Sequence, residues 1–220
     1  MVTELYLTHQ DLSKRQLTEL RRPKKQSGDL QEEKGVARKK TTPTKHKLTQ
    51  SKTLPTKIDV FILRHGEAGN RMTVPEEDSE RPLTPAGRIE IQKIAKSLKT
   101  VGLQTDRIYT SPFRRARETA EITAKILKIP ILEEWDELKP DGSKTALYRK
   151  LAKVEQDSGL ILVGHEPYLS SMIGEIIGSK GARIDLKKGG LGKVRITSFT
   201  PQVSGELRWL LTPKIITGMS

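Results

Sequence analysis

Residues 59–70 of this 220-residue chain are DVFILRHGEAGN, and they contain both a structural and a chemical signal. The first signal is the uninterrupted apolar run Val60-Phe61-Ile62-Leu63, which is typical of a short strand buried on both faces. The second is the abrupt change to Arg64-His65-Gly66. Either the strand simply reaches solvent there, or it carries a histidine into a functional site.

The composition excludes several classes of protein. The chain contains no cysteine, so a catalytic thiolate, a cysteine-bound zinc ion and a disulfide framework are all excluded. No apolar run approaches the roughly 20 residues that cross a bilayer. The first residues also lack the cationic start and apolar segment of a signal peptide. We therefore expect a cytoplasmic protein with no membrane partner.

The net charge of +13 is unevenly distributed along the chain. Residues 1–56 carry 13 Lys and Arg against 6 Asp and Glu, and they contain few apolar residues. Such a composition buries too little apolar surface to offset the loss of chain entropy. We predict a basic, disordered leader over residues 1–56 and one folded domain over residues 57–220. An arm for nucleic acid, acidic protein or anionic lipid is the less favoured interpretation, because no aromatic residues lie among its basic clusters, as a base-stacking arm would require.

From Ile58 onward, strand and helix patterns alternate. Thr84-Pro85 and Ser111-Pro112 predict two helix starts, and a third helix is predicted from Ser143 to Gln156. The predicted strands are Ile58–Leu63, Arg107–Tyr109, Ile131–Leu132 and Leu160–Val163, followed by a hairpin of residues 193–200 and 206–212. This order predicts an α/β fold, with a mostly parallel central sheet, helices on both faces and an antiparallel C-terminal hairpin.

The parallel sheet bears on the choice between a solvated strand end and a site. Ligands bind at the carboxyl ends of the strands in such sheets. His65 follows the first predicted strand and His165 follows the fourth. We therefore expect both histidines at the same edge of the sheet, together with the amide groups that begin the helix after residue 111.

The chain contains four short segments in the order Arg64-His65-Gly66, Leu83–Gly87, Ser111–Thr119 and Gly164–Pro167. Together they resemble the histidine phosphatase superfamily, and most closely its SixA-type phosphohistidine phosphatases. The resemblance extends from about Ile58 to Pro213 and implies a phosphoglycerate-mutase-like fold.

The resemblance implies a role for each of four side chains. It assigns His65 as the nucleophile, and Arg64, Arg115 and His165 as the groups that bind the phosphoryl oxygens. A neutral imidazole can attack phosphorus and form a covalent phosphohistidine. Arginine suits the binding role because it is permanently charged and offers a planar set of donors.

Three arginines begin the helix in question, and only one matches the family pattern. Arg115 directly precedes Ala116 and lies four residues before Thr119, as the family arginine does. Arg114 and Arg117 are instead expected on a solvated face of that helix.

The general acid is less well specified. In mutase-like members it is a glutamate in a later segment, and the corresponding candidate here is Glu137, with Glu67 and Glu166 as alternatives. Those members also carry an asparagine six residues after the nucleophile. Asn70 lies five residues after His65 and is assigned no role.

A weakly specified acid favours a phosphoramidate substrate. Imidazole has a pKa of about 6.5, so a P–N bond breaks with less help from an acid than the bond to an alkoxide. The short chain between Thr119 and His165 also leaves no length for a lid. We predict a phosphatase that acts on phosphohistidine in a signalling protein of the histidine phosphotransfer type, through a covalent enzyme intermediate.

Two alternatives remain at this stage. One is a phosphomonoesterase for a sugar or nucleotide phosphate, and the other is a non-catalytic protein that binds phosphoryl groups or nucleic acid. No cofactor is expected in any case. No carboxylate cluster accompanies the two histidines in the sequence, and the arginines supply the positive charge that a metal ion would otherwise provide.

Overall fold

A computed structural model describes residues 57–154, 159–179 and 181–219. The predicted leader lies outside these residues. The helix predicted from Ser143 to Gln156 is shorter than expected, because it spans Lys144–Leu151 and Ala152 is its C-cap. None of the described helices is long and apolar enough to cross a membrane.

Six strands form one mixed sheet in the described part of the chain. They are β1 (Ile58–Arg64), β2 (Arg107–Thr110), β3 (Ile131–Glu134), β4 (Leu160–Gly164), β5 (Leu191–Ser198) and β6 (Ser204–Leu211). Their order in the sheet is β3-β2-β4-β1-β5-β6. The first four strands pair in parallel, and β5 is antiparallel to both β1 and β6. The predicted fold class and the C-terminal hairpin are therefore confirmed.

Helices cover both faces of this sheet. They are α1 (Pro75–Ser79), α2 (Pro85–Thr100), α3 (Arg114–Leu127), α4 (Lys144–Leu151), α5 (Tyr168–Ile176) and α6 (Pro213–Thr217), with a 3₁₀ turn at Asp136–Leu138. Successive side chains of a strand point to opposite faces. Val60 and Ile62 accordingly join the core formed with α4 and α5, whereas Phe61 and Leu63 join the core formed with α2, α3 and α6.

The start of α2 follows the sequence pattern. The Thr84 side chain accepts a hydrogen bond from the Gly87 amide, and Pro85 occupies the first helical position. Gly102, which was predicted to end this helix, has a φ of +75° just beyond its last residue.

α2 is held directly against the chain that leaves β1. The Thr84 amide donates to the Glu67 carbonyl oxygen at 2.9 Å. Gly87 lies against the same oxygen, so closely that a Cβ at this position would overlap it. Gly87 therefore permits the contact that fixes the segment next to His65.

We predict that Gly87→Ala destabilises the protein by about 1–3 kcal/mol, as expected for overpacking against atoms that cannot move aside. Helix propensity alone favours Ala over Gly by about 1 kcal/mol and so predicts the opposite sign. Urea unfolding measures the difference. Gly181→Ala is the matched control, because a Cβ there meets no atom within 4 Å. A stabilised Gly87→Ala variant would contradict the close packing.

Candidate active site

His65 and His165 lie side by side at the carboxyl ends of two neighbouring strands. β1 and β4 pair in parallel with Arg64 opposite Gly164, so the residues that follow are adjacent. The His65 amide continues the pairing by donating to the Gly164 carbonyl oxygen at 3.1 Å. The two imidazole centroids are 5.1 Å apart. The expectation that both histidines share one edge of the sheet is confirmed.

The hydrogen bonds of His65 define its tautomer. Its Nδ1 lies 2.7 Å from the Gly66 carbonyl oxygen, which can only accept, so Nδ1 carries the proton and Nε2 has the free lone pair. Desolvation lowers the pKa of His65 to about 3, and the charges of Arg115 and Arg64 act in the same direction. His65 is therefore neutral near pH 7, with an unprotonated Nε2.

Arg115 lies against that nitrogen. Its Nε is 3.3 Å from His65 Nε2, and the guanidinium is 5.1 Å from the centre of the Phe113 ring. Its Nη1 donates to the Asp78 carbonyl oxygen at 2.7 Å, and its Nη2 lies 3.3 Å from the Asp78 carboxylate. The guanidinium is thus held in place by groups outside its own helix.

Asp78 is a site residue that the sequence did not reveal. Its carboxylate accepts hydrogen bonds from Arg81 at 2.9 Å and from the Met72 amide at 3.0 Å, in addition to its contact with Arg115. Burial on its own would raise the pKa of Asp78, but these partners hold the pKa below its usual value. Asp78 lies in the charged stretch EEDSER, residues 76–81, where no pattern separates it from solvated neighbours.

His165 is oriented by Ser111. The Ser111 hydroxyl accepts from the Phe113 amide at 3.2 Å and lies 2.8 Å from His165 Nε2, so its proton is free to go to that nitrogen. The ring proton of His165 then sits on Nδ1, which is buried without a partner among the described residues. Desolvation, together with His65 and Arg115, lowers the pKa of His165 to about 2.

The role of Ser111 differs from the sequence prediction. Ser111-Pro112 was predicted to open the helix, but α3 begins at Arg114 and Phe113 occupies the position before it. The Ser111 side chain contacts the histidine of another strand instead of capping its own helix. The Phe113 ring also packs edge-on against His165, at 5.2 Å between centroids.

The expected nucleophile, His65, and the three residues expected to bind the phosphoryl group line one cavity of about 900 Å³. Arg64 is half-buried there. Its Nη1 donates to the Leu186 carbonyl oxygen at 2.8 Å, while its buried Nε has no partner in the described part of the chain. The structure therefore brings Arg64, His65, Arg115 and His165 together.

Glu137, the first candidate for the general acid, does not line this cavity. Its carboxylate forms an ion pair with Lys150 of α4 at 2.6 Å. Glu67 pairs with Lys188 at 2.7 Å, which lowers its pKa and makes it a poor proton donor. Glu166 lines the cavity half-buried, and desolvation raises its pKa. Glu166 is thus the best placed of the three glutamates.

Within residues 57–154, 159–179 and 181–219, no group of three His, Asp or Glu side chains is arranged to hold a metal ion.

Comparison with known proteins identifies relatives of the whole domain. A family model described as histidine phosphatase superfamily (branch 1) matches residues 60–140. The chain is 36% identical over 165 residues to an uncharacterized protein of Picosynechococcus sp., covering 71% of this chain and 98% of that protein. It is 31% identical over 122 residues to phosphohistidine phosphatase SixA of Escherichia coli, covering 54% and 74%.

A solved structure extends the likeness to three dimensions. The protein histidine phosphatase SixA in complex with tungstate superposes with a TM-score of 0.62 at 26% identity, covering 71% of this chain and 98% of that one.

The two buried histidines predict that stability decreases as the pH falls from about 7 to about 5. Each has a pKa of about 6.5 in the unfolded chain, against about 3 for His65 and about 2 for His165 in the folded protein. Between those values the unfolded chain binds more protons, so the free energy of unfolding rises with pH, by about 2 kcal/mol per histidine over this interval. Urea unfolding at the two pH values measures the change.

His165→Gln is the matched variant, because its amide can still hydrogen-bond to Ser111 but does not titrate. This variant should lose about half of the pH dependence. Equal pH dependence in both proteins would contradict a buried neutral His165.

Proposed function

The chain belongs to the histidine phosphatase superfamily, and we propose that it hydrolyses phosphohistidine in proteins of the histidine phosphotransfer type. The observation that carries the proposal is the state of His65. Its ring is neutral, its proton is held on Nδ1 by Gly66, and its Nε2 lone pair lies beside a buried arginine. This arrangement provides a nucleophile next to a group that binds anions.

In the first step, the phosphoryl group lies among Arg64, Arg115 and His165. The buried Arg64 Nε and His165 Nδ1 have no internal partner in the described chain, so each is available to donate to a phosphoryl oxygen. Arg115 Nε transfers its hydrogen bond from His65 to a phosphoryl oxygen, which frees the lone pair. Nε2 then attacks phosphorus as the P–N bond of the substrate breaks, and the substrate ring, whose other nitrogen carries a proton, leaves as a neutral imidazole.

In the second step, water attacks the phosphorylated His65. The P–O bond to water forms, the P–Nε2 bond breaks and inorganic phosphate is released. Because Nδ1 remains protonated on the Gly66 carbonyl oxygen, His65 leaves as a neutral imidazole and needs no proton from another group. The hydrogen bond from Nδ1 to Gly66 thus leaves Nε2 unprotonated for the first step, and it keeps His65 a neutral leaving group in the second step.

The choice of substrate depends on the proton donors in the cavity. A phosphohistidine leaving group is an imidazole with a pKa of about 6.5, whereas a sugar alkoxide needs a proton from a positioned acid. Glu137 is turned toward Lys150 and away from the cavity. The similarity to a protein named phosphohistidine phosphatase supports the same choice.

One observation favours phosphomonoester hydrolysis as a second function. Glu166 is half-buried in the cavity, and its raised pKa increases the fraction that can donate a proton. We propose that Glu166 protonates leaving groups more basic than imidazole.

Turnover on a substrate panel tests the main proposal. We expect phosphate release from a phosphohistidine protein at a kcat/KM at least about 100-fold above that for sugar phosphates, nucleotides and p-nitrophenyl phosphate. After rapid quench with radiolabelled phosphohistidine protein, the label should be on His65. His65→Asn should fold and lose essentially all turnover. Label on another residue, or turnover in His65→Asn, would exclude His65 as the nucleophile.

We predict that Glu166→Gln separates the two activities. Loss of a general acid typically costs about 10²–10⁴-fold in kcat, so hydrolysis of an alkyl phosphate should fall by at least about 100-fold. Hydrolysis of phosphohistidine should change by less than about fivefold. Glu137→Gln is the matched control and should leave both unchanged. An equal loss on both substrates would show that Glu166 does not act as a leaving-group acid.

A further inference from the structure

The cavity has a deep part and a mouth, which differ in exposure. His65, Arg115 and His165 are only 6%, 4% and 2% exposed. Arg71, which is exposed, and Lys188, which is half-buried, line the same cavity and come from two separate loops. The groups proposed to act on the phosphoryl group therefore lie deep in the cavity, and two further cations lie at the mouth of the cavity.

The two cations at the mouth differ from each other in their pairing. Arg81 and Arg115 share the Asp78 carboxylate, and Lys188 pairs with Glu67. Arg71 forms no ion pair or hydrogen bond with any described residue. The guanidinium of Arg71 is thus free to bind an anion without giving up an internal contact.

The anion that Arg71 contacts depends on how the substrate enters the cavity. A phosphohistidine side chain that places its phosphoryl group between His65 and His165 leaves its own backbone at the mouth. The residues on either side of the phosphohistidine then lie over Arg71 and Lys188 at the mouth. Met72 is 46% exposed next to Arg71 and offers apolar contact to the same segment.

The charge of the cavity lining favours an acidic segment. It comprises five cations and three carboxylates, namely Arg64, Arg71, Arg81, Arg115 and Lys188 against Asp78, Asp141 and Glu166. With both histidines neutral, this lining has a positive charge that attracts anions.

We propose that Arg71 and Lys188 bind carboxylates of acidic residues that flank the phosphohistidine in the protein substrate. Arg71 contributes more than Lys188, because Glu67 already neutralises Lys188. The proposal rests on the proposed function, since it assigns the mouth of that same site to the substrate chain. It specifies the substrate as an acidic segment around phosphohistidine rather than a small phosphoramidate.

Two synthetic peptides of equal length test this assignment. Each carries one phosphohistidine, flanked on both sides by two Glu in the first peptide and by two Gln in the second. Inorganic phosphoramidate serves as a substrate too small to reach the mouth. For the wild-type protein we expect a lower KM for the Glu peptide, by about two- to fivefold for each ion pair, with an unchanged kcat. Added salt should reduce this preference.

Single substitutions test which residues produce the preference for the Glu peptide. Arg71→Gln should remove most of it, Arg71→Glu should reverse it, and Lys188→Gln should reduce it less. Lys96→Gln, an equal charge change on the exposed face of α2 and outside the cavity, should retain it. The KM for phosphoramidate should be the same in all five proteins.

The possible failures are distinct. Phosphate release by the wild type without a preference for the Glu peptide, or a preference that survives Arg71→Glu, would overturn the assignment of the mouth alone. An equal rise in KM for phosphoramidate in Arg71→Gln would also overturn it, because Arg71 would then bind the phosphoryl group. A wild-type protein that releases phosphate from neither peptide nor phosphoramidate would overturn the proposed function itself.

Discussion

The parallel pairing of β1 with β4 is the constraint on which the candidate site depends. Five residue pairs, from Val60–Leu160 to Arg64–Gly164, set the register, and the hydrogen bond from the His65 amide extends it by one residue. A shift of one residue would turn each side chain to the other face of the sheet and separate the two imidazoles. The strand is buried on both faces, so packing on either side resists such a shift.

Burial of the strand ends then determines the chemistry. Desolvation keeps His65 and His165 neutral, and the same effect raises the pKa of Glu166 in the cavity they share. A buried guanidinium without a partner would destabilise the folded protein, and the contact of Asp78 with Arg115 offsets this effect. One physical cause thus supplies an unprotonated imidazole, a neutral second imidazole and a carboxyl group with a raised pKa.

The proposed function and the proposed recognition of acidic segments rest on different depths of one cavity. The deep groups are fixed by contacts from several elements, as Ser111 fixes His165 and Asp78 fixes Arg115. Arg71 at the mouth has no such contact in the described chain. Under these two proposals, substitutions at the mouth change which protein substrate binds without disturbing the groups proposed to bind the phosphoryl oxygens.

Local patterns in the sequence were enough to predict the alternating elements and the start of α2 at Thr84. The resemblance of short motifs to a known family singled out Arg64, His65, Arg115 and His165, which the fold brings together. These signals are local, because apolar runs, helix caps and short motifs each lie within a few adjacent residues. Contacts between distant segments left no such pattern. Asp78 reaches Arg115 across 37 positions, and Ser111 reaches His165 across 54. The choice between Glu137 and Glu166 likewise depended on which carboxylate the folded chain turns toward the cavity, and that direction is set by packing rather than by neighbours in sequence.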